Sequence, residues 1–107
     1  MPAAVLDVLA DDTRRRIVEL LAAGDRAAGD IASQFPVSGP AISRHLRLLR
    51  ESGVVRVERD AQRWVYSLDP EPLTEANEWM QRNIETWRRR FRALGDHLDD
   101  MRAEEEQ

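Results

Sequence analysis

The 107-residue sequence contains no cysteine and no lysine. The first absence excludes disulfides, thiolate metal sites and thiol redox chemistry. The second means that all 16 basic residues are arginine, a pattern that fits a GC-rich genome. No apolar run approaches the roughly 20 residues that a membrane span needs. The N-terminal MPAAVLDVLADD meets acid within seven residues and has neither a basic lead nor a long apolar stretch, so no signal peptide is expected and the cytoplasm is the default setting. Also missing are a glycine-rich phosphate loop and any Ser/His/Asp spacing, and the two histidines lie far apart, so no constellation carries a reaction and an enzyme is not expected. No cofactor or metal is implied by these residues.

What is present is charge, unevenly placed. Charged residues make up 34% of the chain and hydrophobic ones 42%, which suits one domain over 1–107 with much surface per unit of core. The formal net charge is -4, yet residues 38–68 hold six arginines against Glu51, Glu58 and Asp60. Residues 69–107 hold eleven acids against six arginines. The acidic total therefore hides a basic middle segment, and a local patch is what steers a polyanion.

Apolar spacing divides the chain into elements. Val5, Leu6 and Leu9 line one side of a short first helix that stops at Asp11 and Asp12, either of which can cap the next helix. That second helix turns Ile17, Leu20 and Leu21 inward, and Gly24 is its expected stop. A helix-turn-helix is expected over 29–53. Its first helix has Ile31, Ala32 and Phe35 as the core side, and Pro36 ends it by disfavouring helical geometry in the preceding residue. Its second helix is capped by Ser38, carries Pro40 in the first turn, where a missing N–H costs nothing, and ends at Gly53. From Val54 the period changes from helical to alternating, with Val55 and Val57 on one face and then Trp64, Tyr66 and Leu68 opposed to Val65 and Ser67. This is a hairpin over 54–68, its turn spanning Arg59 to Arg63. Finally, Leu73, Ala76, Met80, Ile84, Trp87, Phe91, Leu94, Leu98 and Met101 recur every three or four residues, predicting one long helix over 70–102 with a heptad-like seam. Gly95 and the terminal EEEQ should weaken and fray its end. The fold class is mainly α with a small β-hairpin: a winged helix-turn-helix of three core helices plus wing, with a long C-terminal dimerisation helix.

That arrangement assigns candidate residues. With Ile42, Leu46 and Leu49 turned to the core, Gly39, Pro40, Ser43, Arg44 and Arg47 fall on the outer side of the second motif helix, whose first turns meet base edges when such a helix enters the major groove, and the cap Ser38 joins them as a DNA-binding candidate. Arginine can bond guanine bidentately, and a serine hydroxyl suits base or phosphate. Arg50, near the helix end, suits a phosphate. At the hairpin tip, Arg59, Gln62 and Arg63 can lie along the backbone or dip into the minor groove; the alternative is that the arginines pair with Glu58 and Asp60. His45 stands one step from the apolar stripe, which fits a partly buried ring as well as a base contact. A helix this long outruns a domain this small, so part of its seam should meet a second copy. Val5, Leu6, Leu9, Leu73, Met80, Ile84, Trp87 and Phe91 are the expected dimer contacts.

The stretches LADDTRRRIVELL, GDIASQFPVSGPAISRHLRLLRESGVV and RDAQRWVYSLDP, followed by the long final helix, resemble the ArsR/SmtB family of bacterial winged-helix repressors across nearly the whole chain. The resemblance implies a homodimer, built from its first and last helices, that represses from a palindromic double-stranded operator, often its own. Asp12 stands where the family commonly has proline, a change that capping tolerates. Metal-sensing members carry a cysteine cluster at the start of the motif; here that stretch is Ala27-Ala28-Gly29-Asp30-Ile31-Ala32. Another branch uses Asp and His ligands on the final helix. Asp96, His97, Asp99, Asp100 and Glu104 invite that comparison, but the spacing differs and this helix has no second histidine. A solvated acidic helix end is the expectation there. Trp79 falls beside the seam, and the run Arg88, Arg89, Arg90 and Arg92 fits pairing with nearby acids within the helix. Two rival functions remain compatible with these residues: a winged-helix module that binds protein, and a metal- or ligand-gated repressor.

Overall fold

A computed structural model describes residues 3–105. Its elements run α1 (Ala3–Val8), α2 (Asp12–Ala22), β1 (Arg26–Ala27), α3 (Ala28–Ser33), α4 (Gly39–Glu51), β2 (Val55–Asp60), β3 (Arg63–Leu68) and α5 (Pro70–Glu105). The chain divides into two compact units, Met1–Ala76 and Asn77–Gln107.

In the first unit every long helix begins where a side chain can satisfy a free backbone N–H. Asp11 accepts from the Arg14 amide at 3.0 Å and starts α2, while Ser38 Oγ accepts from the Ala41 amide at 3.2 Å and starts α4. The ends obey local chemistry too. Gly53, at φ 84, donates its amide to the Arg50 carbonyl and closes α4, a left-handed position that favours glycine. The core gathers Val5 and Val8 of α1, Ile17 and Leu21 of α2, Ile31 of α3, Ile42, Leu46 and Leu49 of α4, Val54, Val55 and Ala76. Burying these side chains against one another is what orients α4, because its three core residues lie on a single stripe.

Two details of the sheet differ from the pattern read in the sequence. The hairpin is part of a three-stranded antiparallel sheet of order β1-β3-β2, in which Arg26 pairs with Tyr66 and Ala27 with Val65. A two-residue strand has no periodicity to betray it, and only its partner β3 defines it. The turn is also tighter than the five residues expected, since Arg59 and Asp60 still pair with Trp64 and Arg63. Only Ala61 and Gln62 span the gap, with Ala61 in the left-handed region at φ 57.

The second unit is the continuation of α5. The whole helix has 36 residues, about 54 Å at 1.5 Å per residue. The helix runs on through Gly95, and Glu104 and Glu105 of the terminal EEEQ are helical. Glu106 and Gln107, the rest of the tail expected to fray, lie outside the described residues. Met80, Ile84, Trp87, Phe91, Leu94, Leu98 and Met101 are all exposed, from 37% at Met80 to 64% at Phe91.

Candidate nucleic-acid interface

Helix α4 presents a sharp division of labour around its axis. Ile42, Leu46 and Leu49 are at most 3% exposed, so the opposite side, with Ser43, Arg44 and Arg47, is given to solvent. Gly39, Pro40 and Ser38 are exposed at its start and Arg50 near its end. Arg47 Nε lies 3.9 Å from Glu51 Oε1, a loose pair of two exposed side chains that water screens. Among the described residues, Arg44 and Arg50 make no ion pair. The Ser38 oxygen is used as the cap, which leaves its hydroxyl hydrogen available to donate.

His45 takes a different direction. Its ring is mostly covered, with Nδ1 3.4 Å from Arg14 Nη1 and 3.9 Å from Asp11 Oδ1. Arg14 in turn donates from Nε to the Val8 carbonyl at 2.6 Å. One cluster therefore links the end of α1, the cap of α2 and the middle of α4. The Arg14 amide, with the nearby Arg14 and His45 charges, holds the Asp11 carboxyl below its ordinary value of 3.8. The sequence places His45 beside the apolar stripe, but its partners lie 31 and 34 residues away and only the packing of α2 on α4 discloses them.

Beside α4 runs a groove of about 380 Å³. Ala28, Gly29 and Ala32 of α3 contribute small side chains to it, and Ser43, Arg47 and Arg50 bring polar and cationic ones. A second groove, of about 370 Å³, shares Ala28 and Gly29 and extends to Gln62, Arg63 and Trp64 of the wing. The two grooves meet at Ala28 and Gly29, which lie between the outer face of α4 and the wing tip. At the tip, Arg63 Nη2 lies 3.6 Å from Asp60 Oδ2. The Arg59 guanidinium stacks over the Trp64 ring, 5.4 Å from its centroid, and Arg59 Nε donates to the Ala61 carbonyl at 3.2 Å. At the wing's base Arg56 engages both carboxylate oxygens of Asp69, each at 3.2 Å. That pair lowers the Asp69 pKa and raises that of Arg56, and it ties the end of β3 to the start of β2. Arg56 counts toward the basic segment in the sequence, yet its charge is spent on Asp69.

The expected dimer residues separate into two groups. Val5 is buried in the core of the first unit, and Leu6, Leu9 and Leu73 are partly buried against that core. Met80, Ile84, Trp87 and Phe91 share one exposed stripe of the second unit, where with Trp79, Asn83 and Arg88 they line a shallow apolar groove of about 410 Å³. Trp87 and Phe91 touch there, their ring centroids 5.8 Å apart, and Arg90 stacks over Trp87 at 5.2 Å. Among the described residues no three His, Asp or Glu side chains converge as metal ligands would, and no helix is long and apolar enough to cross a membrane.

Residues 11–57 match the family described as bacterial regulatory protein, arsR family. The transcriptional repressor SdpR of Bacillus subtilis is 42% identical over 76 residues, spanning 71% of this chain and 84% of that one. The chain belongs to the ArsR family. It is a transcriptional regulator, as its relatives are, and not an enzyme. The HTH-type transcriptional regulator Rv2034 of Mycobacterium tuberculosis is similar at 46% identity over 72 residues, 67% of each chain. The ArsR-like transcriptional regulator from Rhodococcus sp. RHA1 superposes with a TM-score of 0.76 at 30% identity, covering 87% of this chain and 88% of its own. The ArsR-family match takes in α2, α3, α4 and the Asp11–His45 cluster, and ends at Val57, before the wing tip and the exposed stripe of α5.

Proposed function

We propose that this ArsR-family regulator is a homodimeric repressor that binds an inverted-repeat operator in double-stranded DNA, acting in the bacterial cytoplasm. The helix-turn-helix of 29–53 supplies the reading helix, the hairpin of 54–68 the wing, and the long helix of 70–102 the contact between copies, so that the 107 residues work as one domain. The observation that carries this reading is the outer face of α4. Three exposed arginines and Ser43 lie outside a stripe that is buried, beside grooves of which the second reaches Arg63 on the wing.

An exposed arginine face on a protein of net charge -4 has a physical use if it meets a polyanion. Arg44 and Arg47, one turn apart, are spaced to reach neighbouring base edges, where a guanidinium bonds guanine O6 and N7 together. Ser38, Arg50 and Arg63 suit phosphates, which position the protein without specifying sequence. His45, tied to Arg14 and Asp11, serves better as a support for α4 than as a reader of bases. The exposed stripe from Met80 to Met101 favours a second copy, because an apolar surface of that length is covered in a stable protein. A two-fold pair with reading helices one DNA turn apart, roughly 34 Å, wants an inverted repeat.

The test is a titration of the purified protein against its own upstream promoter and a scrambled duplex, at two salt concentrations, with and without chelator. The expected result is preference for the promoter that weakens with salt and ignores the chelator. Equal, weak binding to both duplexes would turn the same face over to protein partners, and dependence on added metal would make the repressor a gated one.

A further inference from the structure

Trp64 is the least economical residue of the wing. It is 51% exposed although the alternation of β3 puts it on the same face as Tyr66 and Leu68, which pack against the core. The hairpin simply outreaches the core at this point, and what Trp64 covers instead is its cross-strand partner Arg59. The guanidinium lies 5.4 Å from the ring centroid, inside the range of about 6 Å in which a cation is attracted to an aromatic face. Its Nε is held by the Ala61 carbonyl, and among the described residues its two Nη groups have no partner. Arg63, the other arginine of the tip, has Asp60 beside it.

Stacking takes away conformational freedom that a free arginine would lose on binding, and leaves the terminal N–H groups pointed at no protein acceptor. The tip that carries it is narrow, only Ala61 and Gln62 wide. A narrow tip with one pre-ordered arginine suits a minor groove about 6 Å across, and the narrow, strongly negative grooves of A·T-rich DNA attract arginine most. We propose that Arg59, held on the face of Trp64, reads the minor groove beside each operator half-site, and that Trp64 is the positioning residue behind a preference for A·T pairs there. This rests on the DNA-binding reading above and adds a second determinant of specificity, distinct from α4.

The experiment uses the full chain and a promoter duplex trimmed to its protected region, with the pairs flanking each half-site set to A·T, G·C or inosine·C. Inosine·C shows the major groove of G·C but lacks the amino group in the minor groove, so it separates the two readouts. The wild type should favour A·T over G·C flanks about tenfold, the scale of one mismatched pair, and treat inosine·C as A·T. Arg59→Ala should abolish that ratio. Trp64→Leu should cut it to threefold or less while keeping the preference for promoter over scrambled DNA, and Trp64→Phe should restore most of it. A ratio unchanged in Trp64→Leu, or Arg59→Ala weakening all flanks equally, would overturn the inference and leave the arginine as a phosphate contact. So would a wild type that prefers its promoter but ignores the flanks. A wild type that does not prefer its promoter would overturn the DNA-binding reading, and this one with it. Thermal unfolding of each variant checks the fold, and Arg59→Ala keeps the test alive should the tryptophan variants prove unstable.

Discussion

Helix α4 and the distal part of α5 carry the same kind of message in sequence and meet opposite fates in the structure. Both repeat apolar residues at intervals of three and four. Ile42, Leu46 and Leu49 of α4 are 0 to 3% exposed, whereas the stripe of α5 from Met80 to Met101 is 37 to 64% exposed. The difference teaches that periodicity announces a face to be covered and says nothing of what covers it. For α4 the cover is the protein's own core, and the reward is a fixed rotation that sets Arg44 and Arg47 outward. For the distal helix the stripe stays exposed over three heptads, the face that the proposed homodimer would cover.

The largest effect is expected from the buried stripe of α4. Leu49→Ala should destabilise the protein by about 2–5 kcal/mol, because a fully buried leucine leaves a cavity as well as losing its transfer energy, and urea unfolding will measure it. On the other helix, Trp87→Glu with Phe91→Glu should shift the monomer–dimer equilibrium at least a hundredfold, about 3 kcal/mol, by placing charge in the contact. Sedimentation at several concentrations reads that shift, and a variant that remained dimeric at micromolar concentration would remove the stripe from the interface. On the outer face of α4, Arg44→Ala should weaken operator binding by about 1–3 kcal/mol and relax base preference at one position. Arg50→Ala should instead weaken all sequences alike and lower the salt slope by about one.

The smallest effect concerns the cluster behind α4. Folding lowers the Asp11 pKa from its ordinary 3.8, so its ionised form contributes stability that is present above pH 3.8 and lost as pH falls through the folded value. Asp11→Asn keeps a capping side chain and removes the charge, so acid unfolding below about pH 4 should become slightly less steep. The side chain is 37% exposed and screened by water, so the change will be slight.

Much of the site was legible before the fold was known. The cap at Ser38, a cap at either Asp11 or Asp12, the stop at Gly53 and the outward set Ser43, Arg44, Arg47 and Arg50 follow from local rules: a short polar side chain before an apolar period, a glycine after it, and 3.6 residues per turn; the packing selects Asp11. The wing was legible as alternation from Val55 to Leu68. Less legible were the strand at Arg26–Ala27, the tight turn at Ala61 and the stacking of Arg59 on Trp64. A hairpin pattern tells which residues share a face, but where the core beneath that face runs out is set by helices elsewhere in the chain.

The sequence by itself determined the helices, the hairpin, the arginine face and the lack of any thiol chemistry, because each depends on residue type and on neighbours within a turn or two. Only the tertiary structure decided that His45 turns to Arg14 and Asp11, that Arg56 is neutralised by Asp69, and that Trp64 stands out of the core under Arg59. These contacts join residues far apart along the chain or hang on the edge of the packed core. Their geometry exists only once burial of Ile17, Ile31, Leu49 and Val54 has fixed one helix against the next.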